Sequence, residues 1–400
     1  MGYEHLSKIY YKDAENHDAI YQARFNAPTT KHFDFAVKQF QRPKEFPAFL
    51  CYEEELFLLI ERCYKRHENL LQTIGAVPEL ILRQFELLCV VEEVKATNEV
   101  EGIHSSRREL KAILKENSGS ARFSSIIKKY NALISNQPFE FKTCEDVRIF
   151  YDEFAHGEIA GENASHKLDG QIFRKGSVDI DSGTGKTLHR GVYPEEKIIA
   201  AMKIALKILN DAEVPFLARL SVFHYLFCYI HPFYDGNGRT VRFITAYYLA
   251  AHFNSFAALS LSLIIKRNRK KYYGLFEETT AEINCGDLTP FVHGFVELLI
   301  ETFDAVINTL NRKTEQFNKY QARLSAIMPA DELTGKIYQL IFQSSIFFGQ
   351  GVSMDELIKL TGKSRNTLKA RLKGAISAGD VIVSGDKKLF YKLNTLKLKT

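Results

Sequence analysis

The chain has 400 residues, 46% hydrophobic and 25% charged, which excludes a mostly disordered or fibrous polypeptide and leaves room for two or three domains. A formal charge of +5 is too small for this length to point to nucleic acid by itself. The charge is uneven, however: residues 331–400 carry 12 Lys/Arg against 6 Asp/Glu, a net of +6.

Residues 1–50 mix short apolar groups with polar ones and are left unassigned, apart from a strand over 33–37. From Tyr52 to Leu71 the pattern is helical, with Leu56, Leu58, Leu59 and Cys63 on one side. Pro78 opens a second helix that reads through Leu80, Leu88, Val91 and Val94 toward Glu101, and Gly102 is its natural stop. Residues 107–160 read as further helices. The texture changes at 171–192: Ser177-Val178-Asp179-Ile180 alternates like a strand, residues 181–186 are turn chemistry, and Thr187-Leu188-His189 returns, which predicts a β-hairpin. Pro194-Glu195-Glu196 starts the next helix. Pro215 to Ile230 is a strongly apolar helix that runs into a polar turn at 231–238, and a new helix begins at about Arg239.

The stretch from Phe243 to Ile265 has no Asp, Glu, Lys or Arg, yet no 18 consecutive residues in it are apolar. It reads as a buried helix broken near Asn254-Ser255, so no membrane segment is expected. Further helices cover 267–283 and 288–325, and Pro329-Ala330-Asp331 marks a boundary. The remainder reads as helix 331–344, helix 353–360, a turn at 361–363, helix 364–378 and two short strands around Gly385. That order is a winged helix-turn-helix layout.

Six cysteines (Cys51, Cys63, Cys89, Cys144, Cys228, Cys285) show no CxxC pair and no zinc spacing, so a reducing compartment, the cytoplasm, is expected. Met1 to His5 lack a basic stretch followed by an apolar run, and no signal peptide is expected. Residues 182–187 imitate the end of a P-loop, but the required first glycine is Ile180. Residues 235–246 imitate a calcium loop whose last ligand would be Ala246 instead of Glu. His224, seven residues before His231, has too few potential co-ligands for zinc and reads as a packed helical histidine.

The chemistry concentrates in His231-Pro232-Phe233-Tyr234-Asp235-Gly236-Asn237-Gly238-Arg239-Thr240-Val241-Arg242. Backbone N–H groups at this helix entrance, with the positive end of the helix dipole, make an anion site. Arg239 and Arg242 lie three apart on the first turn and reach the same side, a placement that is unfavourable unless an anion sits there. Two arginines and a nest suit nucleotide phosphates. Asp235 is a hard oxygen ligand of the kind that holds Mg²⁺ beside phosphates. His231 is the one group here that takes a proton near pH 7, and the neighbouring arginines are expected to keep it neutral by like-charge repulsion. Phe233 reads as an anchor for the loop in the core. Thr97 and Glu101, four apart, share a helix face.

This twelve-residue run resembles the HxFx(D/E)GNGRxxR signature of Fic proteins at every fixed position. Thr97-Asn98-Glu99-Val100-Glu101-Gly102 resembles the inhibitory pattern (S/T)xxxE(G/N) of Fic proteins with an N-terminal inhibitory helix, and Phe173 to His189 resembles the Fic flap. The resemblance covers roughly residues 45–300, and the tail is similar to winged helix domains appended to bacterial Fic proteins. It implies a mainly α fold: an N-terminal helical region over 1–135 carrying the inhibitory helix at about 79–102, a Fic catalytic core over 136–325 with a small β-hairpin flap, and a winged helix-turn-helix domain over 331–400.

The implied activity is Mg²⁺-dependent transfer of AMP from ATP to a Ser, Thr or Tyr hydroxyl of a target protein or of the chain itself. His231 would deprotonate the hydroxyl, Asp235 would hold Mg²⁺, and Gly236, Asn237 and Gly238 would cradle phosphate with Arg239 beside them. Arg242 would hold the γ-phosphate, and Glu101 would pair with Arg242 and block the productive nucleotide pose. Val178, Asp179 and Ile180 would align the target by strand pairing and border the nucleotide, and Tyr272 and Tyr273 match a tyrosine pair near the adenosine. Relatives that move UMP, phosphocholine or phosphate, or that remove AMP, leave the transferred group open. The basic tail, with Lys363, Arg365, Lys369, Arg371 and Lys373, keeps a DNA-binding regulator as a rival reading. The apolar surface of 52–75 admits a homodimer.

Overall fold

In the computed structural model of the chain, two short helices, α1 (Leu6–Lys12) and α2 (Ala14–Phe25), precede an antiparallel hairpin, β1 (Thr30–Lys38) and β2 (Glu45–Cys51). The structure describes residues 3–116, 122–156, 167–181, 187–327, 331–348, 351–385 and 389–394. The strand expected at 33–37 lies inside β1; the two helices and β2 were not expected. Only Tyr21 of α2 is buried, so this helix shows no apolar periodicity. It is held through long-range packing of Tyr21 and Phe25 on Phe49.

The chain then enters α3 (Glu54–Gly75), α4 (Glu79–Val100), α5 (Arg107–Glu116), α6 (Ser124–Ile134) and α7 (Cys144–Tyr151), the last continued by a π-turn over Asp152–His156. Gly102, at φ +77°, follows the end of α4. Strands β3 (Asp179–Asp181) and β4 (Thr187–Arg190) form the expected hairpin, pairing Asp179 with Arg190 and Ile180 with His189. Its tip, with residues 182–186 of the P-loop imitation at 182–187, lies outside the described residues.

Helices α8 (Glu195–Asn210), α9 (Phe216–Ile230) and α10 (Asn237–His252) follow. All residues of α9 except Phe216, Arg219 and Cys228 are buried, as an element apolar on every side requires. Each fully buried Leu or Phe contributes about 2 kcal/mol of transfer free energy, so α9 is a rigid base for whatever follows it. The apolar stretch after α10 breaks where expected: Asn254 accepts the Phe256 N–H and caps α11 (Ser255–Ala258). No described helix is long and apolar enough to cross a membrane. Helices α12 (Leu261–Arg267), α13 (Arg269–Thr280) and α14 (Thr289–Ile327) follow.

After α14 come α15 (Glu332–Phe348), β5 (Val352–Ser353), α16 (Met354–Thr361), α17 (Arg365–Ser377), β6 (Val381–Ser384) and β7 (Phe390–Leu393), with the strands in the order β5-β7-β6. Strand β5 was not expected. Ile337, Ile341, Leu357, Leu368, Leu372, Val381 and Leu393 form the core here. Ser353 and Glu356 make a reciprocal capping box at the start of α16. The described residues gather into two compact units, 1–68 with 89–304, and 69–88 with 305–400. The segments expected from the sequence were 1–135, 136–325 and 331–400. All six cysteines are free thiols.

Candidate active site

Helix α9 ends at His231, whose backbone turns left-handed at φ +54° and ψ +62°. That conformation costs a side chain about 1 kcal/mol and bends the chain sharply out of the helix. The turn is closed by the His231 N–H donating to the Phe227 carbonyl at 2.9 Å. Phe233 then dives into the core and stacks on Tyr151 with ring centroids 3.6 Å apart, the anchoring role expected for it. Tyr151 also donates its hydroxyl to the Asp235 carbonyl at 3.1 Å, so one side chain holds the loop at two points.

Asn237 differs from expectation in one respect. Its side chain is buried and turned inward, accepting the Phe233 N–H at 2.9 Å and donating to the Phe233 carbonyl at 2.8 Å. It braces the loop, and only its backbone remains for an anion. The Asp235 carboxylate accepts the Gly236 N–H. Arg239 and Arg242 are both buried, on the first and second turns of α10, because the helix begins at Asn237, two residues earlier than expected.

The anion position at this helix entrance is filled by the protein itself. Glu101, just past α4, brings Oε1 to 2.7 Å from Nη1 of Arg242. A β-carbon on Gly238 would lie 2.1 Å from that same Oε1, so the carboxylate rests directly on the backbone at the start of the helix. Nε of Arg242 donates to Oγ1 of Thr97 and Nη2 donates to the Thr97 carbonyl, each at 2.9 Å. Burial would raise the Glu101 carboxyl, but Arg242, and beyond it Arg239 and His231, outweigh that and hold it below its ordinary value.

His231 is lowered to about 4. Burial is the main cause, followed by the positive charge of Arg174 and by His189; Glu101 and a hydrogen bond with the Cys228 main chain pull the other way. The expected neutral imidazole is therefore present, but for a different reason: desolvation leads, and the relevant guanidinium is Arg174, ahead of the motif's own arginines. Sequence reasoning missed Arg174 because it stands far from the motif in the chain.

The flap root is pinned by side chains outside the motif. The Glu195 carboxylate accepts three successive N–H groups, from Gln171, Ile172 and Phe173, at 2.7–3.0 Å. Asp169 accepts the Tyr234 hydroxyl at 3.0 Å, and that hydroxyl accepts the Gly176 N–H at 3.0 Å. Val178 precedes β3 and accepts the Gly191 N–H at 3.0 Å; Asp179, in β3, forms an ion pair with Arg190. Ile180 pairs with His189.

Tyr272 is buried with its hydroxyl 2.7 Å from Nε2 of His224, and Nδ1 of His224 meets Thr245 at 2.8 Å. His224 is thus the packed histidine expected, pushed by burial to about 3. Tyr273 is only half-buried and carries the Arg269 guanidinium over its ring at 5.6 Å. The structure places Tyr273 within the field of Glu101 and Arg242 and commits the Tyr272 hydroxyl to the interior.

The Fic/DOC family profile matches residues 150–249, which span the flap, α8, α9, the polar turn and most of α10. The chain carries a Fic/DOC family domain. Proteins with a Fic domain are usually transferases that act on proteins. A Fic family protein from Desulfovibrio desulfuricans shares the fold, with a TM-score of 0.52 at 18% identity over 86% of this chain and 96% of that one. Fic-1 from C. elegans aligns with a TM-score of 0.47 at 17% identity over 76% of this chain and 80% of that one. No curated protein matches the chain.

Proposed function

We propose that this Fic-domain chain transfers AMP from ATP to a Ser, Thr or Tyr hydroxyl of a target protein, its own chain included, and that Glu101 restrains the reaction. The observation that carries this reading is the Glu101 carboxylate seated on Arg242 and on the Gly238 backbone. An anion cup occupied by a side-chain anion is a phosphate cup held shut. The donor set suits a triphosphate: buried guanidinium groups, backbone N–H groups at a helix entrance, and one carboxylate, Asp235, on the same turn.

In this reading the α10 entrance and Arg239 bind phosphate, and Arg242 orients the γ-phosphate once Glu101 leaves. Asp235 would hold Mg²⁺, which would supply positive charge to the phosphates. The hydroxyl oxygen bonds to the α-phosphorus while the bond from that phosphorus to the bridging oxygen breaks. Pyrophosphate leaves with the electron pair, and the hydroxyl proton passes to the imidazole nitrogen of His231 that is turned away from Cys228. A neutral imidazole is the form that accepts this proton. The outer edge of β3, unpaired among the described residues, supports alignment of an extended target segment by Val178, Asp179 and Ile180.

The test is intact-mass analysis after incubation with ATP and Mg²⁺. Weak self-labelling by the native chain, stronger labelling by Glu101→Gly and none by Glu101→Gly/His231→Ala are expected. A mass increment other than AMP in competition among nucleoside triphosphates would replace the transferred group; label surviving His231→Ala would falsify the base.

A second reading rests on the C-terminal elements. Helices α16 and α17 are joined by a three-residue turn, and strands β6 and β7 follow, an arrangement we read as a winged helix-turn-helix. Helix α17 contains no acidic residue, and Asn366, Lys369, Ala370 and Lys373 are exposed on it. Lys363, Lys369 and Lys373 form no ion pair among the described residues, whereas Arg365 and Arg371 pair with Asp355 and Asp331. A small, acid-free, lysine-bearing face fits a DNA groove. Binding to a duplex that weakens steeply with salt and disappears in the Lys363→Glu/Lys369→Glu/Lys373→Glu chain is expected; absent or salt-insensitive binding removes this reading.

A further inference from the structure

Beside His231 lies a buried cation whose acceptors are all main chain. Arg174 has no exposed surface, and among the described residues it forms no ion pair. Its Nε donates to the His231 carbonyl at 2.8 Å and its Nη1 to the Gly176 carbonyl. Its Nη2 donates to the carbonyls of Val192 and Ile230, at 2.9 and 3.3 Å. Its backbone N–H donates to the Pro232 carbonyl at 3.3 Å. Gly176 and Val192 are the two roots of the flap hairpin, and residues 230–232 are the end of α9 with the start of the polar turn. One side chain therefore ties both flap roots to the carbonyl of the imidazole-bearing residue.

The packing around it leaves no slack. A β-carbon on Gly191 would lie 2.4 Å from Nη2 of Arg174 and 3.0 Å from the β-carbon of His231. Burial drags the guanidinium down to about 10, which shows how unfavourable the site is for a charge. Four main-chain carbonyls converge on this one side chain, and the planar fork of a guanidinium bonds them together where the point charge of an ammonium could not.

We propose that Arg174 is a positioning residue, which locks the flap and His231 into one rigid frame and keeps positive charge against the imidazole. The proposal rests on the reading of His231 as the base. Rigidity matters because the flap holds the target and His231 must meet the target's hydroxyl; an ångström of play between them costs rate without costing nucleotide affinity. The charge matters because Arg174 is the cation that faces the imidazole; His189 beside it is itself held below its ordinary value by burial, and Glu101 with the Cys228 main chain pulls the other way.

The experiment compares Arg174, Arg174→Lys and Arg174→Gln in the Glu101→Gly chain. Two readouts are taken: NMR titration of the His231 imidazole without nucleotide, and kcat with ATP affinity across pH. In Arg174→Gln the imidazole should titrate about one unit higher, and kcat should fall about a hundredfold while the ATP Kd stays within about threefold. Arg174→Lys should restore the titration but not the rate, since a single ammonium cannot bond all these carbonyls. A folded Arg174→Gln chain with native titration and native kcat overturns the proposal. If that variant does not fold, a native rate in Arg174→Lys overturns it. If Glu101→Gly transfers nothing from any nucleotide, the functional reading fails, while the imidazole titration still decides whether Arg174 holds charge on His231.

Discussion

Glu101 and Thr97 together saturate Arg242: Oε1 of Glu101 takes Nη1 at 2.7 Å, and Thr97 takes Nε and Nη2 at 2.9 Å each. Both partners come from one turn of chain at the end of α4, so the guanidinium is held by a single element. Arg242 is buried while the Glu101 side chain is 28% exposed, so the carboxylate is the half of the pair that faces solvent.

Removal of that carboxylate should trade intrinsic stability for ligand response. Glu101→Gly leaves a buried guanidinium without its counter-charge, and a loss of about 2 kcal/mol is expected. Added ATP should restore about that much at a hundredfold excess over its Kd, and should shift the native chain less. Paired thermal melts with and without ATP measure this; equal shifts in the two chains would refute occupation of the phosphate site by Glu101.

Thr97→Val removes the Oγ1 acceptor but keeps the main-chain acceptor and Glu101. The clamp should weaken by about 1 kcal/mol, giving roughly fivefold more self-labelling than the native chain and less than Glu101→Gly. Labelling rates under identical ATP would decide it, and no rise above native would show that Glu101 alone holds Arg242.

Asn237→Ala should act on the loop and leave α10 formed. It removes both side-chain bonds to Phe233, which leaves a buried N–H and a buried carbonyl unpaired at a cost of about 2 kcal/mol. The expected result is a lower melting temperature with unchanged helix content, together with weaker ATP binding. Tight binding in a destabilised chain would separate the brace from the phosphate cup.

Glu93 sets a pH dependence that runs against the usual carboxylate. It is fully buried, accepts the Ser262 N–H at 2.9 Å, and is pushed by burial from 4.5 to about 7. The folded state holds this proton more tightly than the unfolded state, so its contribution is complete below pH 4.5 and is lost as pH rises through about 7. The loss is on the order of 3 kcal/mol. Glu93→Gln keeps an acceptor for Ser262 without the charge, and should raise stability at pH 8 while changing little at pH 4.5. Denaturation at the two pH values tests it; equal effects at both would show that Glu93 carries no such shift.

The sequence by itself determined the parts whose cause is local. The polar turn at 231–242 was legible because its residue types have few purposes at that spacing, and the hairpin at 179–190 because alternation flanked a run of turn residues. The helices Glu54–Gly75 and Glu79–Val100 were legible from apolar positions with Pro and Gly near their ends, and Phe216–Ile230 from an unbroken apolar run opened by Pro215. The pairing of Glu101 with Arg242 came from resemblance, and no spacing rule connects residues so far apart in the chain. Tertiary structure alone decided the rest. Helix α2 and strand β2 exist because Phe49 and its neighbours gather them, and no periodicity in residues 14–25 announces that. Asn237 turned inward because the folded loop offered it both polar atoms of Phe233. Arg174 was invisible because its partners are main-chain carbonyls, which every residue supplies and no side-chain pattern encodes; only the folded chain brings Gly176, Val192, Ile230 and His231 to one guanidinium.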